Sequence, residues 1–268
     1  MNISHSSHQI KKIAIIGLGK MGQWFAEKLK NMVIVAVYDL EQEKCFQVEK
    51  VIPLRKLTEL TDFQPDLLLN SVNIQATIPV FEEIINYLPT DCLLADITSV
   101  KGNLPAYYRQ SQRRFVSTHP MFGPGLTEIN QLKKENAIII KESDAAGKHF
   151  FREFYQCFKI NIFEYSFSEH DEIIAYSLTV PFASSLVFAA HLSSSAVPGT
   201  TFKKHLAIAR HLLQEDDYLL AEILFNPYSL PQLEKITQRL EFLKHIIRAK
   251  DYEEIIRFFK LLRENIAK

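Results

Sequence analysis

Residues 11–22 read KKIAIIGLGKMG, an apolar run that passes directly into Gly17-x-Gly19-x-x-Gly22. A short buried strand feeding a glycine-rich turn and then a helix leaves few folds open, because each glycine meets a separate steric demand. Gly17 permits the tight turn, Gly19 lets backbone approach a pyrophosphate, and Gly22 lets the helix pack closely on the strand. Leu18 and Met21 complete this cradle, and the positive end of the helix attracts the phosphates. A second β-branched run ends at Asp39, 22 residues after Gly17. A carboxylate there accepts the ribose hydroxyls and repels a 2′-phosphate, so the expected cofactor is NAD. Lys44 lies nearby and works partly against that preference. Ser71, just past another apolar run, joins the expected cofactor contacts. The alternatives are a glycine turn without cofactor and an Asp39 that only forms a turn.

Up to about residue 164, short β-branched runs alternate with amphipathic segments, the pattern of a parallel sheet covered by helices. Strands are expected at 13–16, 33–38, 67–70, 93–96, 115–117, 137–140 and 160–164, with helices at 21–30, 75–87, 103–112 and 145–158. Beyond this point only helical periodicity remains, at 203–213, 216–225, 229–248 and 251–266. The expected fold is therefore α/β, a Rossmann-type dinucleotide-binding domain over 1–165 followed by an all-helical domain over 166–268.

Residues 173–202 contain no Asp, Glu, Lys or Arg. Pro181, Ser184, Ser185, His191 and Ser193 to Ser195 interrupt the run, so it reads as a helix buried on all sides and not as a membrane span. Its apolar length predicts a homodimer built on the helical half. With 31 Lys plus Arg against 31 Asp plus Glu, nothing favours a nucleic-acid partner. Three widely spaced cysteines offer neither a disulfide framework nor a metal site. They fit the cytoplasm, as does a first segment without an apolar signal core.

Two polar loops fall at the carboxyl ends of later strands, where open α/β sheets bind ligands. They read Asp96-Ile-Thr-Ser-Val-Lys-Gly102 and Ser117-Thr-His-Pro-Met-Phe-Gly123. His119, two residues past the expected strand and held by Pro120, is placed to act as a general base.

With GLGxxG, D-x-x-S-V-K-G and H-P-M-F-G in this order, the chain resembles the prephenate and arogenate dehydrogenases of tyrosine biosynthesis. The resemblance runs through the helical half. It implies an oxidoreductase that carries out NAD-dependent oxidative decarboxylation of a cyclohexadienyl dicarboxylate. In that reading His119 accepts the hydroxyl proton and Ser99 positions the hydroxyl and the histidine. Lys101 has two readings, facing substrate or cofactor, or capping a helix that begins at Gly102. The His170-Asp171 pair matches an H-D of the family, which makes His170 a candidate substrate contact; helix capping explains Asp171 equally well.

The chain also departs from the family. Where many members carry a glutamate after the H-P loop, Pro124 and Gly125 stand here, and the nearest acid is Glu128. The S-H-L-P-H segment reads Leu178-Thr-Val-Pro-Phe182, and the family's substrate-binding arginine falls near Ala207. Lys203, Lys204 and Arg210 are then the candidate anchors for the substrate carboxylates. Two other functions share parts of this pattern. A β-hydroxyacid dehydrogenase would use a lysine on the long helix, yet none occurs between Lys159 and Lys203. A sensor that binds NAD without turnover would keep the glycines and Asp39 but has no need of His119 and Ser99.

Overall fold

The computed structural model describes residues 10–123, 132–133, 135–193 and 197–267. Pro124, Gly125, Glu128, Ser194 and Ser195 lie outside them. The strands are β1 (Lys12–Ile16), β2 (Ile34–Tyr38), β3 (Ile52–Pro53), β4 (Leu67–Asn70), β5 (Leu93–Asp96), β6 (Phe115–Pro120), β7 (Asn136–Ile140) and β8 (Asn161–Tyr165). They form one sheet in the order β3-β2-β1-β4-β5-β6-β7-β8. Every pairing is parallel except β6 with β7.

Register decides where the functional loops fall. Ile16 pairs with Asn70, Asn70 with Asp96, and Asp96 with Ser117. The loops that leave β1, β4 and β5 therefore emerge along one edge of the sheet, level with the middle of β6. Strand order reverses between β1 and β4, which opens the crevice where such sheets take ligands.

Helices α1 (Lys20–Leu29), α2 (Ile74–Ile84), α3 (Leu104–Ser111) and α4 (Ala145–Cys157) cover the sheet. On one side α1 meets α4 through an aromatic core in which the Phe25 and Phe154 rings stack at 5.4 Å and Trp24 meets Phe122 edge-on at 5.2 Å. Ile13, Ile15, Leu67 and Leu69 point into this core, and their sequence neighbours point away from it, as a pleat requires. Apart from that core, Phe81 of α2 stacks on Tyr107 of α3 at 5.6 Å. Asp144 caps α4 by accepting from Ala146 and Gly147 N–H, and Asn73 caps α2 through Ala76 N–H.

Strand β6 runs further than the expected 115–117. Thr118, His119 and Pro120 pair with Ile139, Ile138 and Ala137 of antiparallel β7, so His119 belongs to the strand and does not follow it. Its polar composition reads as a loop; cross-strand pairing overrides that propensity. Strand β3 also escapes the sequence pattern, because two residues carry no periodicity.

The remaining helices are α5 (Phe167–Ile174), α6 (Val180–Ala190), α7 (Thr200–Leu212), α8 (Asp217–Leu224), α9 (Ser229–Ala249) and α10 (Tyr252–Ile266), with a π-helical segment at Ala175–Thr179. Contacts divide the chain into one unit of Met1–Ile174 with Asp216–Asn226, and another of Ala175–Glu215 with Pro227–Lys268. Helices α5 and α8 thus go with the sheet. Asp171 of α5 accepts N–H bonds from Lys101 and Gly102, and its carbonyl accepts from the Asn226 amide just after α8.

Within the helical unit, Thr179 and Ser229 hydroxyls meet at 2.7 Å, Phe188 packs on Phe202, and Phe242 packs on Phe258. The expectation of a single helix buried on all sides at 173–202 is corrected here. The run is divided by the π-helical segment and ends its second piece at Ala190, and α6 has no buried residue. Val187 is 61% exposed. Phe167–Ala190 is long and apolar enough to cross a membrane, and 17% of its most apolar window is buried within the chain.

Candidate active site

The turn after β1 shows why its glycines are needed. Gly17 has φ +89°, and a Cβ there would lie 2.8 Å from a Val72 methyl and 2.9 Å from Val72 N. A Cβ on Gly22 would stand 2.0 Å from the Gly17 carbonyl oxygen. A Cβ on Gly19 would meet nothing within 4 Å, so backbone there faces open space. Gly19 is also the N-cap of α1, no side chain caps that first turn, and no acid occupies it. Uncapped amides at the positive end of a ten-residue helix, next to side-chain-free backbone, are the kind of surface on which phosphate anions are bound in general.

Asp39 reaches back across this turn. Its Oδ2 accepts the Leu18 N–H at 2.6 Å and its Oδ1 the Glu41 N–H at 2.9 Å, while Lys44 Nζ stands 3.9 Å away. The carboxylate is therefore fixed beside the cradle at the carboxyl end of β2, with Leu18 buried beneath and Met21 packed against the core. Ser71 is placed differently from a cofactor donor. Its hydroxyl donates into the turn, 2.6 Å from the Gly17 oxygen and 3.1 Å from that of Ile16, and so braces the glycines from below.

Lys101 is a correction to the reading of it as a substrate cation. Its side chain is wholly buried, and Nζ donates to Asp96 Oδ1 at 2.8 Å, to the Thr118 carbonyl at 2.8 Å and to Thr98 Oγ1 at 3.3 Å. Three acceptors account for all three ammonium hydrogens. The other Asp96 oxygen accepts from the Tyr108 hydroxyl at 2.8 Å. Burial alone would raise the Asp96 carboxyl, but Lys101 and the hydrogen bonds hold it below its usual value. Burial lowers the Lys101 ammonium, opposed by Asp96. The pair ties the end of β5 to the strand that carries His119. Nothing about its capping alternative survives for the side chain; the Lys101 backbone N–H goes to Asp171.

His119 is 5% exposed, and its Nδ1 lies 3.0 Å from His170 Nε2. His170 is wholly buried, and its Nδ1 lies 2.8 Å from Asp171 Oδ1. His170 thus stands behind His119, and the expectation that it touches substrate is corrected: no surface remains for that contact. Burial first, then His170 and Lys101, push the His119 imidazole well below its ordinary value. At neutral pH it is uncharged, with Nδ1 engaged by His170.

Ser99 lies half-buried in the loop between β5 and α3, and among the described residues its hydroxyl makes no hydrogen bond. Lys203, Lys204 and Arg210 are exposed on α7, as is Ala207. Two roles were not legible in the motifs. Asp171 is the hub joining His170 to the Lys101–Gly102 backbone, and Tyr155 meets the Thr118 hydroxyl at 3.0 Å behind the His119 strand. Adjacency in the H-D pair was the available signal for the first; the second has none.

The sequence model for the nucleotide-binding domain of prephenate dehydrogenase matches residues 25–158, half of the chain. The chain belongs to the prephenate dehydrogenase family. A Methanocaldococcus jannaschii protein described as a probable arogenate/prephenate dehydrogenase is 24% identical over 268 residues, covering 92% of this chain and 59% of that protein. The chain therefore spans less than two thirds of that family member. Among solved structures, prephenate dehydrogenase from A. aeolicus, in complex with hydroxyphenyl propionate and NAD+, superposes with a TM-score of 0.83 at 20% identity, covering 98% of this chain and 99% of that one. Synechocystis arogenate dehydrogenase gives 0.77 at 18% identity, covering 96% and 99%. These likenesses show that the family fold extends over both the sheet and the helices.

Proposed function

We propose that this chain catalyses the NAD-dependent oxidative decarboxylation of prephenate or arogenate in tyrosine biosynthesis. The observation that carries the reading is His119, buried, uncharged and, among the described residues, engaged at Nδ1 only, on the same sheet edge as the glycine turn. The family match and the A. aeolicus complex support it.

The residues present fit a dinucleotide. Gly17, Gly19 and Gly22 with the first turn of α1 would hold the pyrophosphate, and Asp39 the adenosine ribose. NAD supplies the hydride acceptor. At the substrate, His119 Nε2 takes the proton of the ring hydroxyl as hydride leaves the carbon that bears it. The carboxylate departs as carbon dioxide, leaving its bonding electrons to complete an aromatic ring. A well-placed base contributes about 10² to 10⁴ in rate. The free hydroxyl of Ser99 is suited to hold the substrate hydroxyl at that base. Lys203, Lys204 and Arg210 are the candidate anchors of the two carboxylates.

The working form is a homodimer in which the exposed apolar face of α6 is covered by a second copy, in the cytoplasm.

Production of NADH with prephenate and with arogenate, measured on purified protein, tests the reaction. Absence of turnover with both would overturn it. Asp39→Ser is expected to relax a preference for NAD over NADP; equal use of the two by the unaltered protein contradicts the role of Asp39.

A further inference from the structure

The His119 and His170 rings have centroids 5.2 Å apart and planes at 59°, so they meet nitrogen to nitrogen and not face to face. Asp171 fixes one end of this line. Its Oδ1 accepts the Lys101 N–H at 2.9 Å and its Oδ2 the Gly102 N–H at 3.0 Å, so the carboxylate is an acceptor on both oxygens. His170 Nδ1, 2.8 Å from Oδ1, must carry a hydrogen to bond there. A neutral imidazole has a single N–H, which leaves His170 Nε2 with a lone pair. That lone pair bonds to His119 Nδ1 at 3.0 Å only if Nδ1 holds the hydrogen. By the same count His119 Nε2 is left bare.

We infer that His170 and Asp171 are positioning residues that hold His119 in the Nδ1–H tautomer, leaving Nε2 as the proton acceptor. An isolated neutral imidazole in water favours the other tautomer, which would put a hydrogen on the nitrogen that must receive one. The buried line His119–His170–Asp171 reverses that preference before substrate arrives. The Asn226 amide, bonded to the Asp171 carbonyl at 2.9 Å, helps fix the far end. The inference rests on His119 as the base for its catalytic meaning, while the tautomer itself can be read without turnover.

Nitrogen-15 NMR of the ring nitrogens, on the full chain without substrate at mildly alkaline pH, reads it directly. His119 is expected with hydrogen on Nδ1 and none on Nε2. In His170→Gln the amide oxygen can reach the place of the lost Nε2, and the signature should persist. In His170→Leu no acceptor remains, and His119 should shift toward Nε2–H. With prephenate, kcat should fall about 10- to 100-fold in His170→Leu and recover most of the way in His170→Gln, with KM for NAD unchanged. A wild-type His119 in the Nε2–H form, or an unshifted tautomer in His170→Leu, overturns the inference. If His170→Leu does not fold by circular dichroism, the wild-type and His170→Gln spectra decide. If the wild type turns over neither prephenate nor arogenate, the proposed reaction falls by itself and the spectra still judge the tautomer.

Discussion

At His119 the electrostatics act in one direction. Burial disfavours the imidazolium, and His170, bonded to it, and the Lys101 charge add to the effect. The folded-state pKa therefore lies below the ordinary value of about 6.5, and the unfolded chain binds this proton first as pH falls. Stability from this group is complete above about pH 6.5 and declines as pH drops through the window below it. For the reaction, kcat/KM is expected to stay level through pH 6.5, with its acid limb at lower pH. A pH–rate profile with that limb at or above 6.5 would contradict the buried, neutral histidine. The neighbouring ion pair makes a second prediction. Asp96→Asn leaves the buried Lys101 ammonium without its charge partner, which should destabilise the fold by roughly 3–5 kcal/mol, read by chemical denaturation. A loss under about 1 kcal/mol would show that water reaches the site. Gly17, Asp39 and His119 were legible in the sequence because each sits in a local motif. The inward turn of Lys101 is completed by the Thr118 carbonyl 17 positions on, and the withdrawal of His170 depends on His119 51 positions away, which no local pattern records.

Among the elements, α4 lies against β6 through a glycine. A Cβ on Gly147 would stand 2.6 Å from Val116 Cβ, a side-chain carbon that its own strand holds in place and that has no flexible end to yield. Gly147→Ala should therefore cost about 1–3 kcal/mol despite the better helix propensity of alanine, measured as a fall in denaturation midpoint. A stabilised variant would mean that the helix can lift away freely. Most strands and helices were readable because parallel strands buried on both faces are nearly continuous apolar runs and the helices keep a 3.6 period. The end of β6 was not readable. Thr118, His119 and Pro120 are polar or ring-locked, and only the β7 partner makes them a strand. This matters for chemistry, since a base on a paired strand is held more firmly than one on a loop.

For the whole molecule, α6 carries no buried residue and Tyr176 before it is 67% exposed, in a stretch without charge. The homodimer proposed above is expected at micromolar concentration by light scattering, and a monomer there would oppose it. The order of elements in the chain has a further effect. The sheet-bearing unit takes back Asp216–Asn226 after a first excursion into the helical unit. Every strand has been made by residue 165, yet the Asn226 amide that bonds the Asp171 carbonyl comes 55 residues after Asp171. During synthesis the support behind His170 cannot close until residue 226 has left the ribosome, so a chain released early would possess the described sheet and still lack the amide that braces Asp171.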